Sequence, residues 1–270
     1  MPLAVWPCAQ DAADRAWGNR RAPFEIARRA IETYSQPGDL VLDPLCTDPS
    51  LPIVLEAIRQ ERNAAAVIGH DVEDFLELGQ RVHAARTQGA LGEAVLLRGD
   101  PPELPRLLAR QEGFLRRHHL ADRNIGVHPG GSADLILVSL PALLLLGRRE
   151  DHSRRWHQRF SAFDVLTASA IVLRPGGYLV TVTGSGELEG TRRDLGAETV
   201  SLGEELGLAY WQHIIALLVP IDDGHLKPRR RRRAKQLGLP RIVHQDVHVF
   251  RKPTAETRLD NANTDARWAA

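Results

Sequence analysis

The chain has 270 residues, with 35 Lys and Arg against 34 Asp and Glu, and 43% of its residues are hydrophobic. This balance excludes a chain disordered throughout, and no apolar stretch reaches the roughly 18 residues of a membrane span. Two cysteines, Cys8 and Cys46, make neither a disulfide framework nor a zinc cluster, and Met1–Pro7 lacks the basic-then-apolar pattern of a secretory signal, so a cytoplasmic protein with no membrane partner is predicted.

The charge is unevenly spread. Lys227, Arg229, Arg230, Arg231, Arg232, Arg233 and Lys235 fall within one short run that contains no acid, and residues 1–226 are net acidic. A basic patch on an acidic body points to a polyanion partner. A solvated loop fits the same run, since arginine is abundant throughout, 32 residues against three lysines.

In chain order, residues 23–34 place Phe24, Ala27, Ile31 and Tyr34 on one helical face, with Pro23 suited to the first turn. Ser35-Gln-Pro-Gly38 is a turn, and residues 39–43 are a buried strand ending in Asp43. Helices are predicted over 50–60, 74–86, 105–116, 160–173 and 193–206, and strands over 65–69, 93–97, 134–138, 178–183, 209–219 and 242–250. Residues 117–132 read as a loop, Arg174-Pro-Gly-Gly177 as the turn ending a helix, and 253–270 as a loose polar tail. Five strands alternating with helices, then two more, predict a doubly wound, mostly parallel, seven-stranded α/β sheet in one domain over 1–252, with 227–235 as a basic insert before the last strand.

In such sheets ligands bind outside the carboxyl ends of the strands, where strand order reverses. That rule sets Asp43, Asp71, Asp100 and Ser139 along one rim. An acid after the second strand can accept from ribose hydroxyls, and one after the third from an adenine amine. Each acid alone is equally a common turn residue; three at successive strand ends form a pattern.

The run Pro37-Gly-Asp-Leu-Val-Leu-Asp-Pro-Leu-Cys46 resembles the opening motif of the S-adenosylmethionine-dependent DNA amino-methyltransferases, close to P-G-D-x-V-L-D-P-F-C-G-S-G-T-T. Gly69-His-Asp-Val-Glu73 resembles the second motif of that family and Arg98-Gly-Asp100 the third. Asp134-Leu-Ile-Leu-Val-Ser139-Leu-Pro-Ala142 stands where the family has its catalytic strand, ending in S-P-P-Y or D-P-P-Y. Leu173-Arg-Pro-Gly-Gly-Tyr-Leu-Val and the final Val243-His-Gln-Asp-Val-His-Val-Phe-Arg-Lys-Pro are also similar, so the resemblance covers about residues 5–253. It implies a Rossmann-like methyltransferase fold and S-adenosylmethionine as cofactor, held by Asp43, Pro44, Asp71 and Asp100. It implies a target amine of cytosine or adenine held by Ser139, the Leu140 carbonyl and Pro141, and DNA as partner through the basic insert.

The sequence departs from the family at two places. Thr47 and Pro49 replace glycines of the cofactor loop, and Ser50 and Leu51 replace its threonines. A β-branched side chain disfavours positive φ, and proline fixes φ and removes an N–H. Asp48 adds a negative charge beside the place of the cofactor carboxylate. Ala142 replaces the aromatic residue that stacks on the flipped base, an interaction worth about 1–3 kcal/mol, and Leu143–Leu146 reads as core instead of pocket rim. The expectation is a family member with weak or lost catalysis and retained nucleic-acid binding. The other readings are an active N-methyltransferase on DNA or RNA base amines, and a regulatory partner of a paralogous methyltransferase.

Other candidates carry less. His118-His119 has no acid cluster and reads as a loop rather than a metal site, and no metal is predicted. His152 and His157 flank Trp156 among arginines, which suits either nucleic acid or the start of a surface helix. His244 and His248 alternate with valines and are predicted to share one exposed face. Cys46 reads as packing.

Overall fold

The computed structural model describes residues 3–8, 24–46, 52–117, 131–140, 160–183, 186–188, 191–193, 195–219, 221–223, 225–226 and 244–254. The elements of the first half are β1 (Leu3–Pro7), α1 (Phe24–Tyr34), β2 (Leu40–Cys46), α2 (Pro52–Arg59), β3 (Asn63–Ile68), α3 (Val72–Thr87), β4 (Ala94–Arg98), a 3-10 turn (Pro101–Glu103), α4 (Leu104–Ala109) and α5 (Glu112–Arg117). The second half has β5 (Ala133–Ser139), α6 (Ala162–Val172), β6 (Leu173–Thr183), β7 (Gly186–Leu188), β8 (Thr191–Arg193), α7 (Gly196–Glu205), β9 (Ala209–Leu217), β10 (Ile221–Asp222), β11 (His225–Leu226) and β12 (His244–Arg251).

The main sheet runs β1-β9-β12-β6-β5-β2-β3-β4, and only β12 is antiparallel to its neighbours. The doubly wound α/β expectation holds, but the sheet has eight strands instead of seven. The added strand is β1, in the stretch Leu3-Ala-Val-Trp-Pro7, which pairs in parallel with β9. It was missed because Pro2 and Pro7 bracket it and no polar alternation marks it. An edge strand bonds on one side only and tolerates proline.

Period-two alternation splits the core between the two faces. Val41, Ala64 and Leu135 face α1, α2 and α3, whereas Leu40, Leu42 and Ile136 face α4, α5 and α6. In α1 the buried residues are Ile26, Ala27, Ala30, Ile31 and Tyr34, close to the predicted face. Helix α7 packs on β12 so closely that a Cβ at Gly203 would lie 2.3 Å from the Phe250 ring.

Three local readings change. The predicted turn Arg174–Gly177 lies inside β6, as an irregularity between the pairs Ala133↔Leu173 and Leu135↔Tyr178. Gly176 supplies the positive φ of 78° there, and Gly177 lets the chain pass close to the Asp134 carbonyl. The helix predicted from residue 193 starts at Gly196, because Thr191–Arg193 forms a hairpin with Gly186–Leu188. His244 and His248 do not share an exposed face: His244 is exposed and His248 is buried. The His248 ring stacks on His213 with centroids 4.9 Å apart, and its Nδ1 shares a 3.0 Å hydrogen bond with the Tyr210 hydroxyl. His213 Nε2 in turn lies 2.9 Å from Asp246 Oδ1.

The end of β12 is tied back to the sheet and to α6. Lys252 Nζ donates to the carbonyls of Ala170 and Leu173, each at 2.7 Å. A cation on the last carbonyls of a helix satisfies orphan acceptors and opposes the negative end of its dipole. Lys252→Met is expected to lower stability by about 1–3 kcal/mol, read as a lower urea midpoint at unchanged slope. No helix among the described residues is long and apolar enough to cross a membrane.

Candidate cofactor site

Chain order reverses direction at β2. From there the strands run outward through β3 and β4 on one side and through β5 and β6 on the other. The crevice of this sheet therefore lies beyond the carboxyl ends of β2 and β5. Asp71, Asp100 and Ser139 sit at or just past the ends of β3, β4 and β5, whereas Asp43, predicted to end its strand, lies midway along β2, which continues past the irregularity at Pro44 to Cys46; the four strands are hydrogen-bonded neighbours in the sheet. At about 4.8 Å between strands, this rim spans on the order of 15 Å.

Asp43 is the buried member. β2 is a central strand, and Pro44 has no N–H for a ladder, so the register to β3 shifts between Asp43 and Cys46. In this irregularity the Leu45 N–H donates to Asp43 Oδ1 at 3.1 Å. Asp43 is 1% exposed, and its Oδ2 has no hydrogen-bond partner among the described residues. Burial pushes the carboxyl up to about 7, against the smaller lowering by the Leu45 N–H. Pro44 is buried beside it.

Asp71 is exposed and N-caps α3. Its Oδ1 accepts from the Glu73 N–H at 2.8 Å and the Asp74 N–H at 3.4 Å. The cap starts the helix at Val72, two residues before the predicted start, and uses only one of the two oxygens of this exposed side chain. Asp100 is half-buried, and its N–H donates to Glu103 Oε2 at 3.3 Å. One residue that the sequence reading left without a role joins these two strand ends. His70 Nε2 lies 3.4 Å from Asp100 Oδ1, and Arg98 Nη2 donates to the His70 carbonyl at 3.3 Å. Its signal in the sequence is its place beside Asp71 in Gly69-His-Asp71.

Ser139 ends β5 half-buried. The Leu140 N–H donates to the Val182 carbonyl at 3.0 Å, which fixes the peptide after Ser139 to β6. Pro141, Ala142 and the run to Leu146 lie outside the described residues, as do Thr47, Asp48, Pro49, Ser50 and Leu51. His118, His119, His152, Trp156, His157 and the basic run Lys227, Arg229, Arg230, Arg231, Arg232, Arg233 and Lys235 also lie outside them. Cys46 is buried, as the packing reading expects. Among the described residues, no group of three or more His, Cys, Asp or Glu is arranged to hold a metal ion.

The rim carries three carboxylates and one hydroxyl, so it offers mainly acceptors. Such a surface suits an extended ligand of nucleoside size bearing hydroxyl, amine or cationic groups. The buried Oδ2 of Asp43 fits a ligand that supplies a donor or positive charge, since a lone buried acceptor is costly.

No family model and no curated protein matches the sequence. Among solved structures, TrmN from Thermus thermophilus is 19% identical, covering 89% of this chain and 52% of that one, with a TM-score of 0.49. This chain thus spans about half the length of that protein. A SAM-dependent methyltransferase from Methanosarcina mazei is 14% identical, covering 83% of this chain and 96% of that one, with a TM-score of 0.49. A variant 16S rRNA (adenine(1408)-N(1))-methyltransferase from Catenulisporales acidiphilia, solved with SAM, is 17% identical, covering 86% and 91%, with a TM-score of 0.46.

Proposed function

We propose that this chain is a methyltransferase-fold protein related to the DNA amino-methyltransferases, one that keeps an S-adenosylmethionine rim and has weak or lost methyl transfer. Nucleic acid, DNA first, is held through residues 227–235. The observation that carries the reading is a set of three acids on adjacent strands at the switch in strand order: Asp71 and Asp100 just past β3 and β4, and Asp43 within β2 where its register to β3 breaks, its buried Oδ2 without a hydrogen-bond partner among the described residues.

S-adenosylmethionine, when bound, supplies an electrophilic methyl group on a sulfonium. The chain's own residues would bind and orient. The Asp71 oxygen outside the cap would accept from ribose hydroxyls, Asp100 would accept from the adenine amine, and Asp43 and Pro44 would close the floor of the crevice. Ser139 and the Leu140 carbonyl would hold a target amine, and such a transfer needs positioning more than a strong base. Thr47 and Pro49 in the cofactor loop, and Ala142 in place of an aromatic, are what argue for reduced turnover.

Calorimetric titration with S-adenosylmethionine and S-adenosylhomocysteine tests the first half. The expected dissociation constants lie between roughly 10 μM and 1 mM, weaker than an intact glycine loop would give. No heat up to about 1 mM would overturn the cofactor reading and favour a regulatory partner of a paralogous methyltransferase. Methyl transfer to DNA or RNA is expected to be at background, and robust turnover would establish an active enzyme instead. DNA affinity is expected to fall steeply with salt, since each phosphate contact releases a counterion.

A further inference from the structure

β1 is the outermost strand on the β9 side of the sheet, and Leu3 and Val5 are 63% and 55% exposed. Among the described residues its backbone is bonded on one side only. Pro7 pairs in parallel with Leu217, and the Cys8 N–H donates to the Leu217 carbonyl at 2.8 Å. Backbone groups in a strand alternate sides, so those of Ala4, Trp6 and Cys8 serve β9. Those of Leu3, Val5 and Pro7 point out of the sheet. The outward row holds two N–H donors, from Leu3 and Val5, and three carbonyls, because Pro7 has no N–H.

Open edges are normally blunted by short length, charge, proline, bulges or a covering element, and β1 has the first and third of these in its five residues and in Pro2 and Pro7. No residue from Leu3 to Cys8 is charged, and the pairing with β9 has no bulge. The prolines limit the length of this edge but leave its centre able to bond.

We propose that β1 is a dimerisation strand, pairing antiparallel with β1 of a second copy of this chain. Full overlap of the two five-residue strands sets Val5 opposite the partner's Val5. Each Val5 N–H then meets the other Val5 carbonyl, and each Leu3 N–H meets the other Pro7 carbonyl. The N–H that Pro7 lacks leaves no donor stranded in the pair. On one face the exposed Val5 and Leu3 side chains cover Val5 and Pro7 of the partner. On the other, Trp6, half-buried and 6.5 Å from the Tyr34 ring, is covered by the partner's Ala4. A row this uncharged and self-complementary offers nothing to a charged peptide that it does not offer to itself. The two sheets become one, continuous across a two-fold axis. Strand pairing alone buries less than the roughly 1,200 Å² of a stable interface, so association in the micromolar range is expected.

The test uses the full chain and depends on register. Residues opposite each other in a hydrogen-bonded antiparallel pair have Cα atoms about 5.5 Å apart, within disulfide range. Val5→Cys is therefore expected to cross-link into a covalent dimer under mild oxidation. Leu3→Cys, whose two copies would stand about 14 Å apart, is expected to cross-link at least about tenfold more slowly. Native Cys8 and Cys46 are both buried, so the parent chain serves as the blank. Sedimentation velocity over roughly 1–200 μM should show a dimer that Val5→Lys abolishes, as it sets two like charges opposite each other. A chain that stays monomeric throughout, a dimer indifferent to Val5→Lys, or equal cross-linking by the two cysteine variants would overturn the proposal.

Discussion

Asp43→Asn is expected to make the protein more stable than the parent at pH 8 and about equally stable near pH 4. The native Asp43 carboxyl titrates at about 7, raised by burial, whereas in the unfolded chain it titrates near 4. Between those values the unfolded state gives up its proton and the native state keeps it. The unfolded state thus binds fewer protons, and stability falls as pH rises through this window. The loss approaches roughly 4 kcal/mol once pH exceeds the native value. Asparagine has no proton to lose and keeps an oxygen for the Leu45 N–H. Urea unfolding of both chains at several pH values isolates the difference from every other titrating group. Parallel stability curves would show that Asp43 does not carry this term. The same variant bears on ligand binding, because the ionised Asp43 is the form able to accept from a donor or attract a cation at its free oxygen.

Asp134→Ala should cost about 3–5 kcal/mol of stability, the usual penalty for breaking a buried ion pair from one side. The Asp134 side chain is 1% exposed. Its Oδ2 accepts from the Leu40 N–H at 2.8 Å, and its Oδ1 accepts from Arg174 Nε. Leu40 opens β2, Asp134 stands near the start of β5, and Arg174 near the start of β6. One carboxylate thus ties three neighbouring strands at the end of the sheet opposite the candidate rim. Removing it strands the Leu40 N–H and leaves the guanidinium without this partner. A loss of this size lowers the melting temperature by roughly 10 °C. A double-mutant cycle with Arg174→Met should show coupling above about 0.5 kcal/mol. Because the candidate rim lies at the far end, any affinity of the parent for S-adenosylmethionine should persist in the folded fraction. A midpoint shift below about 1 kcal/mol would contradict this role.

The rim itself was legible in the sequence. Short apolar runs leading into Gly69-His-Asp71 and Arg98-Gly-Asp100 each show a strand that stops just before an acid, and the order of elements implies that such ends share an edge; the run predicted to stop at Asp43 instead continues to Cys46. The face of α1 was legible too, because apolar side chains recur at helical spacing. Less visible was the role each acid plays. Asp71 caps α3 through one oxygen, and only the position of the Glu73 and Asp74 N–H groups shows which oxygen remains.

Local pattern therefore sufficed for the alternation of central strands and helices and for the acids that follow β3 and β4, since pleat, helical period and turn chemistry act over a few residues. Tertiary packing decided the rest. β1 is a strand because β9, some 200 residues later, offers an open edge. His248 is buried, and the Tyr210 and His213 rings of the neighbouring strand β9 pack against it. Asp43 keeps its proton to about pH 7 because β3, β5 and the helices over them exclude water from a position that looks, in one dimension, like any strand-end acid. Burial is set by neighbours distant in sequence, and desolvation, not residue type, sets the charge.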